Sequence, residues 1–161
     1  MANSDIPKLT KEEANELIGR AAGSTRRRHP KILHNPGDVF NRVINVMMHD
    51  SYMQPHLHPG DEKIEHIHLI RGKIAVLFFD DRGAVRTITT LQENGLRHVA
   101  VPAFTWHTYV MLTDSAITYE TMMGEYAPKT WKEFAEWAPA ESTAESLACL
   151  GSLKSHATAG G

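Results

Sequence analysis

Cysteine and long apolar runs are scarce in this sequence. Its 161 residues include one cysteine, Cys149, and a single cysteine excludes an intramolecular disulfide framework. Cys149 lies in an Ala- and Ser-rich stretch without the basic neighbours that activate a thiol, so we interpret it as incidental. No hydrophobic run approaches the length of a membrane span, and the polar start lacks the basic and then apolar pattern of a signal peptide. We therefore expect no membrane partner and a cytoplasmic location.

An excess of charge of one sign is also absent. Charged residues make up 22% of the chain and the net charge is -2, so nothing favours nucleic acid or anionic lipid as a partner. The length fits one ordinary domain with a single core. Histidine, in contrast, is abundant, because four of the 10 histidines lie between His56 and His68. This clustering suggests a metal site.

Three parts are expected along the chain. Residues 1–24 are predicted to be an N-terminal helical extension, because Thr10 and Glu13 form a capping box and apolar residues then repeat at helical spacing. Residues 25–139 are predicted to form one β-rich domain. Residues 140–161 have few large apolar groups and would bury too little surface to offset their ordering entropy, which predicts a disordered tail.

The β-rich part consists of short segments separated by turn residues. The turn Asp80–Gly83, between two apolar segments, is typical of a hairpin. Capping-box spacing recurs at Thr130 and Glu133 and Pro139 prevents continuation, which predicts a second short helix or helical turn near the C-terminal end. Many short strands favour a sandwich or barrel. The strands are expected at roughly 39–49, 51–57, 63–70, 73–79, 84–91, 97–101, 105–112 and 115–123.

Two short segments place candidate metal ligands on one face of a strand. His56 and His58 are two residues apart on an extended segment, so both imidazoles project from the same side. In the next segment Glu65 alternates with Ile67 and Leu69, which indicates that this carboxylate points inward with its apolar companions. An inward carboxylate is costly unless a cation compensates it, and a divalent ion shared with inward histidines would do so.

His66 and His68 form a rival pair in the same segment as Glu65. Because they alternate with Glu65, they cannot share its face of the strand. A role at the solvent or at a dimer interface is favoured for them over metal ligation. The basic run Arg26–Arg28 also has two interpretations: it is either a solvated edge, or an anion-recognition element if one guanidinium turns inward.

The spacing of these residues resembles the two signature motifs of the cupin superfamily. His56-x-His58, six residues, Glu65, six residues and Gly72 match the first motif, and Pro102 followed five positions later by His107 matches the second. The resemblance implies an all-β fold, a double-stranded β-helix or cupin jelly-roll barrel, with a short N-terminal helix and a short C-terminal helical segment. It also implies that the metal ligands are His56, His58, Glu65 and His107.

The resemblance extends to cupin metalloproteins of the WbuC type and covers roughly residues 26–140, the predicted cupin domain. It departs from the common pattern in a longer gap between His58 and Glu65, and in Phe104, which stands where the pattern has glycine. A turn that needs a positive φ there would be strained by a bulky residue. The segments that carry the WbuC resemblance are Asn41–Asn45, Leu77–Asp81, Trp106–Thr108, Gly124–Tyr126 and Phe134–Pro139.

Three imidazoles and a carboxylate form a mixed nitrogen and oxygen donor set. This set suits one divalent transition metal, iron, manganese, nickel, cobalt or zinc, and an octahedral ion would keep two positions for a substrate. Polar residues on the ligand face are candidates for contacting that substrate. Arg42 and Asn45 cannot both face the pocket in a regular strand because an odd number of positions separates them. The candidates for the substrate pocket are Tyr52, Gln54, Arg42, Thr105 and Tyr109.

Several functions fit these residues. The leading hypothesis is a metal-dependent enzyme that acts on a small polar molecule, for example of sugar type, by oxygenase or isomerase chemistry. The alternative is a non-catalytic ligand-binding or sensing module in which the metal is structural or anchors the ligand. A third possibility is metal-free sugar epimerisation with His107 as base and Tyr109 as acid. By resemblance to barrels of this kind, a homodimer is expected.

Overall fold

The computed structural model describes residues 6–159, which form two antiparallel β-sheets and two helices. The helices are α1 (Lys11–Gly23) and α2 (Ala144–Ala159). The long strands correspond to the segments expected from the sequence, while the first and last strands were not expected. The strands are β1 (Arg28–Ile32), β2 (Phe40–Met48), β3 (His56–Leu57), β4 (Glu65–Arg71), β5 (Lys73–Phe79), β6 (Val85–Gln92), β7 (His98–Val101), β8 (His107–Met111), β9 (Ser115–Met123) and β10 (Glu133–Phe134).

The two sheets face each other across one apolar core. The first sheet has the strand order β1-β2-β9-β4-β7 and the second has the order β10-β3-β8-β5-β6. Alternation along the strands turns every second side chain into the space between the sheets. The residues that fill this space include Met47, Ile67, Ile74, Val76 and Met111, all nearly or fully buried. The predicted all-β, two-sheet architecture is confirmed.

Helix α1 covers the outer face of the first sheet. It begins as predicted, because the Thr10 side chain accepts a hydrogen bond from the Glu13 backbone while the Glu13 side chain accepts one from the Thr10 backbone. Its buried residues Ala14, Leu17 and Ala21 pack against β2 and β9. Residues 1–5 of the predicted N-terminal extension lie outside the described residues.

Helix α2 covers the outer face of the second sheet, so the prediction of a disordered tail is wrong for residues 144–159. Leu150, Leu153 and Ala157 repeat at helical spacing and pack against Leu77 of β5 and its neighbours. The composition of this segment is poor in large apolar groups, but two of its three leucines, Leu150 and Leu153, align on one face and meet an apolar sheet. Residues 160–161 of the predicted tail lie outside the described residues.

The predicted short C-terminal helix is confirmed as α2, but its predicted position around Thr130–Pro139 is wrong. Glu133 and Phe134 instead form β10 and pair with β3, and the Ala135 amide donates to the Pro55 carbonyl. These backbone groups form hydrogen bonds between two segments of the chain, so they cannot form the hydrogen bonds of a helix. Strand pairing in this way places residues 131–134 beside the strand that carries His56.

Candidate metal centre

The four predicted ligands come from both sheets and converge between them. His56 on β3 and His107 at the start of β8 are directly opposite each other in the second sheet. His58 is the residue directly after β3, and Glu65 is the first residue of β4 in the first sheet. One ligand atom from each of the four residues lies within 4.8 Å of all the others. The structure therefore brings together the set that the sequence predicted, and this buried cluster fits a metal site.

Glu65 lies between two of the imidazoles. Its Oε2 atom is 2.9 Å from Nε2 of His107 and 3.4 Å from Nε2 of His58. The His56 ring centroid is 4.6 Å from that of His107. All three histidine side chains are almost fully buried, so an ion at this place would have few competing water ligands from outside the cavity.

Backbone carbonyls fix the orientation of all three imidazole rings. A carbonyl oxygen can only accept a hydrogen bond, so the Nδ1 atom that faces it carries the proton and the lone pair of Nε2 is left to point into the site. Such supporting hydrogen bonds are typical around metal-bound histidines. The three pairs are His56 Nδ1 with the Gln54 carbonyl (2.9 Å), His58 Nδ1 with the Trp131 carbonyl (3.0 Å) and His107 Nδ1 with the Thr105 carbonyl (2.8 Å).

The remaining nitrogen atoms fit a bound cation. Nε2 of His58 is buried and has no hydrogen-bond partner among the described residues. With its proton on Nδ1, a neutral His107 would direct the Nε2 lone pair at the Glu65 carboxylate, and two acceptors at 2.9 Å repel each other. A divalent ion between these atoms satisfies the imidazole lone pairs and the carboxylate together.

The protonation states favoured by the pocket are also those of metal ligands. Burial, together with neighbouring His107 and Lys132, lowers the pKa of His56 well below its usual value. Burial alone would raise the pKa of Glu65, but the adjacent imidazoles of His107 and His58 hold it well below its usual value. The site therefore holds a neutral imidazole beside an ionised carboxylate, and both forms bind metals.

His66 and His68 lie outside this cluster, as the alternation along β4 predicted. They group instead with His98 of β7, where His66 Nδ1 is 3.0 Å from His98 Nε2 and the His68 and His98 rings stack at 4.3 Å. These three side chains are half-buried or exposed, while those of the candidate ligands are directed between the sheets. We therefore assign neither His66 nor His68 a ligand role in the buried cluster.

A cavity of about 460 Å³ opens beside the cluster, which supplies part of its wall. Its apolar wall includes Met53, Val43 and Met122, and its polar wall includes Asn45 and Glu120. A volume in this range suits a small molecule. The arrangement therefore combines a candidate metal centre with room for a ligand next to it.

Of the five residues predicted to contact a substrate, Tyr109 lines this cavity. Tyr52 is directed away and donates through its hydroxyl to the Pro139 carbonyl. The Gln54 amide donates to the carbonyls of Ala135 and Ala138, and thus holds the segment after β10 in place.

Thr105 and Arg42 do not line the cavity either. The Thr105 hydroxyl donates to the Ala103 carbonyl within its own loop. Arg42 projects from the other side of β2, where it lines a separate surface depression. The residues of β2 that reach the cavity are Asn41, Val43 and Asn45, which alternate with Arg42. Strand alternation thus favours Asn45 over Arg42, an alternative that the sequence left open.

Glu120 is a pocket residue that the sequence reasoning missed. Its carboxylate accepts hydrogen bonds from Tyr109 (2.5 Å), Thr118 (2.9 Å) and Asn45 (2.7 Å). Burial and the nearby charge of Glu65 outweigh these hydrogen bonds and raise the pKa of Glu120 to about 7. The available signal was the alternation of Thr118, Glu120 and Met122 along β9, which places Glu120 on the inward face.

Phe104 adopts the backbone conformation that the family pattern assigns to glycine. Its φ is 57°, in the left-handed region, and its side chain is 56% exposed. The Phe104 amide donates to the carbonyl of His58 over 3.0 Å. This hydrogen bond ties the loop before His107 to His58. The loop contains one residue, Phe104, in a strained backbone conformation.

Comparison with known sequences assigns a family. The family described as Domain of unknown function (DUF6016) matches residues 9–91, which is just over half of the chain. The chain belongs to the DUF6016 family. The part matched to DUF6016 contains His56, His58 and Glu65, and ends before His107. No curated protein matches the chain.

Solved structures similar to this DUF6016 protein show its fold. A conserved protein of Klebsiella pneumoniae with a double-stranded beta-helix domain is 12% identical, with a TM-score of 0.56 over 84% of this chain and 97% of that chain. Protein SO0799 from Shewanella oneidensis is 10% identical, with a TM-score of 0.55 over 65% of this chain and 72% of that chain. The fold is the predicted cupin-type double-stranded β-helix, and the finer WbuC assignment stays a prediction.

A third similar structure is that of a longer protein. The capsular polysaccharide assembling protein CapF from Staphylococcus aureus is 18% identical, with a TM-score of 0.53 over 66% of the DUF6016 chain. The match covers 33% of the CapF chain. At this identity, the likeness to CapF concerns the fold of that part alone.

Proposed function

We propose that this protein is a metal-dependent enzyme that binds one divalent transition metal through His56, His58, Glu65 and His107. The observation that carries the proposal is the set of three buried imidazoles whose Nδ1 atoms are held by backbone carbonyls, beside an ionised carboxylate and an adjoining cavity. The donor set suits iron, manganese, nickel, cobalt or zinc, and four protein ligands leave positions on an octahedral ion for a substrate. The metal would supply Lewis-acid or redox chemistry.

The substrate is proposed to be a small polar molecule, for example of sugar type, that reacts by oxygenase or isomerase chemistry. The cavity supports a small substrate through its volume, and the polar side chains of Tyr109, Glu120 and Asn45 supply hydrogen-bonding groups in its wall. The similar fold of CapF, described as a capsular polysaccharide assembling protein, is in keeping with a sugar-type substrate. Tyr109 and Glu120 would orient the substrate, and Glu120, with its pKa near 7, would exchange a proton with it.

Elemental analysis of protein purified without added metal tests the centre. We expect about one equivalent of a transition metal per chain, and its loss in His58→Ala and in His107→Ala because each change removes a ligand. His98→Ala is the matched control, since that imidazole lies outside the cluster, and it should keep the metal. Wild-type protein without transition metal, or unchanged metal content in both ligand variants, would refute the proposal.

Turnover then separates enzyme from binding module. Oxygen uptake with sugars and diketones detects an oxygenase, and proton exchange with solvent detects an isomerase. We expect activity that disappears on treatment with EDTA and returns with the native metal. A protein that keeps its metal and turns over nothing across a broad panel would instead support the ligand-binding or sensing alternative.

The WbuC assignment, a homodimer and a cytoplasmic location stay predictions from family resemblance and composition. Among residues 6–159, neither helix has the length and apolar character that crossing a bilayer requires. Light scattering coupled to size-exclusion chromatography measures the oligomeric state. A mass of twice 18.0 kDa is expected for the homodimer, and a mass of 18.0 kDa would contradict it.

A further inference from the structure

The wall of the cavity carries more cationic groups than free acidic ones. Arg26, Arg28 and Lys132 all line it. The acidic residues in the wall are Glu65 and Glu120. Glu65 belongs to the candidate metal centre, and the Glu120 carboxylate is occupied by its three hydrogen-bond donors from β2, β8 and β9. The cationic side chains therefore lack an equal number of acidic partners inside the cavity.

The two arginines share one carboxylate from outside the cavity. Arg28 Nη2 is 2.6 Å from Glu141 Oε1, and Arg26 Nε is 3.1 Å from Glu141 Oε2. Two guanidinium groups beside one carboxylate leave one positive charge uncompensated. The side chain of Arg28 is 8% exposed and also donates to the Tyr52 carbonyl, so it is fixed in place and turned inward. This is the inward guanidinium that one interpretation of the basic run required.

Lys132 is a half-buried cation without an acidic partner. Among residues 6–159, no carboxylate lies within 4.0 Å of its ammonium group, and its recorded contact is with the Phe134 ring, 5.7 Å away. The neighbouring Lys63 differs, because its ammonium group donates to the Thr130 carbonyl. Burial lowers the pKa of Lys132, while Glu65 and Glu120 act in the opposite direction. A partly desolvated ammonium without a partner is costly, and an anion in the cavity would remove that cost.

The position of Lys132 ties it to the candidate metal centre. It directly precedes β10, whose Phe134 pairs with His56 on β3. The carbonyl of the preceding residue, Trp131, holds the ring of His58. The backbone of residues 131–134 is thus fixed against the segment that carries His56 and His58. An anionic group paired with Lys132 would be held at a set place relative to the metal.

We propose that the substrate carries an anionic group, a carboxylate or a phosphate, that pairs with Lys132, while Arg26 and Arg28 add positive potential. This inference rests on the proposed function, because it names the substrate class of the same site. Lys132 acts as a substrate-binding residue, and the apolar wall formed by Met53, Val43 and Met122 receives the uncharged part of the molecule.

Calorimetric titration of the purified protein with inorganic phosphate and, separately, with acetate tests the proposal. We expect at least one of the two anions to bind, and Lys132→Met to weaken that binding by about tenfold, as expected for a hydrogen bond to a charged group. Tighter binding of phosphate assigns a phosphorylated substrate, and tighter binding of acetate assigns a carboxylate. Failure of both anions to bind the wild-type protein would overturn the inference.

Two further variants separate a binding role from general effects of charge or folding. Lys129→Met removes the same charge from an exposed position that does not line the cavity, and it should bind the anion like the wild type. Lys132→Arg keeps the charge and should keep most of the binding. Equal anion affinities in Lys132→Met and Lys129→Met would overturn the inference, and thermal melting of each variant checks that it is folded.

Metal content, measured in the same samples, separates this inference from the proposed function. If Lys132→Met keeps its metal and binds the anion as tightly as the wild type, the anion site is wrong and the metal-dependent function stands. If the wild type holds no transition metal and still binds the anion in a way that depends on Lys132, the metal-dependent function is wrong and the anion site stands.

Discussion

At the scale of single residues, the loop before His107 contains a strained backbone position, Phe104, which glycine would occupy without strain. Phe104 has φ 57° and a mostly exposed side chain, so its backbone carries a cost that no large buried contact repays. An L-residue in the left-handed region costs roughly 1–2 kcal/mol, and glycine avoids that cost. The amide of this residue nevertheless donates to the His58 carbonyl, which ties the loop to a ligand strand.

Phe104→Gly should therefore be more stable than Phe104→Ala by about 1 kcal/mol, because both remove the same exposed ring and only glycine relieves the left-handed strain. Urea denaturation of the two variants measures the difference in the free energy of unfolding. Equal stabilities, or a more stable alanine variant, would contradict the assignment of strain. Metal content should be the same in both, since neither change touches a ligand.

The proposed metal ligands could be predicted from local sequence, whereas the role of Glu120 depends on residues far away along the sequence. His56, His58 and Glu65 could be predicted because local alternation shows which way each side chain faces. Glu120 also shows that alternation, but its meaning depends on Tyr109 and Asn45, which come from other strands. A local pattern predicts a direction, whereas the environment that raises a pKa exists only after the sheets have paired.

At the scale of secondary-structure elements, the two helices cover opposite outer faces of the molecule and differ in how they could be predicted. Helix α1 has a capping box, which is a local signal. Helix α2 has small or polar residues between Leu150, Leu153 and Ala157, and it gains stability only where this face meets the outer side of β5. Its apolar content alone therefore predicted disorder, because the surface that it buries belongs to a distant part of the chain.

Leu153→Ala should destabilise the protein by about 2–3 kcal/mol, as expected when a buried leucine is truncated against a sheet. Leu147→Ala lies on the same helix at a side chain that is 65% exposed, so it should change the free energy of unfolding by less than about 0.5 kcal/mol. Urea denaturation measures both. Similar costs for the two variants would show that α2 does not dock through the face described.

At the scale of the whole molecule, buried ionisable groups make the stability of the metal-free protein depend on pH in two opposing ways. His56 and Glu65 have lowered pKa values, so the unfolded chain binds more protons than the folded one in acid and stability falls as the pH drops below about 6.5 and again below about 4.5. Glu120 has a raised pKa of about 7 in the folded protein, so the unfolded chain releases the Glu120 proton at a lower pH than the folded protein does. The free energy of unfolding therefore falls as the pH rises from about 4.5 to about 7.

Glu120→Gln removes the second of these contributions and leaves the first. Between about pH 5 and about pH 7, the variant should therefore gain stability more steeply with rising pH than the wild type does. Denaturation of EDTA-treated protein across this range measures the slopes. Glu136→Gln, at an exposed position, should follow the wild-type curve. Parallel curves for the wild type and Glu120→Gln would contradict the raised pKa of Glu120.

The Trp131 carbonyl belongs to a segment that does two things at once. Trp131 forms part of the cavity wall, and its carbonyl accepts the hydrogen bond that keeps the His58 proton on Nδ1. Any displacement of this segment would also free the His58 ring to turn and to exchange its tautomer. The width of the cavity beside Trp131 and the affinity of the proposed metal centre would therefore change together, with a wider cavity giving weaker metal binding.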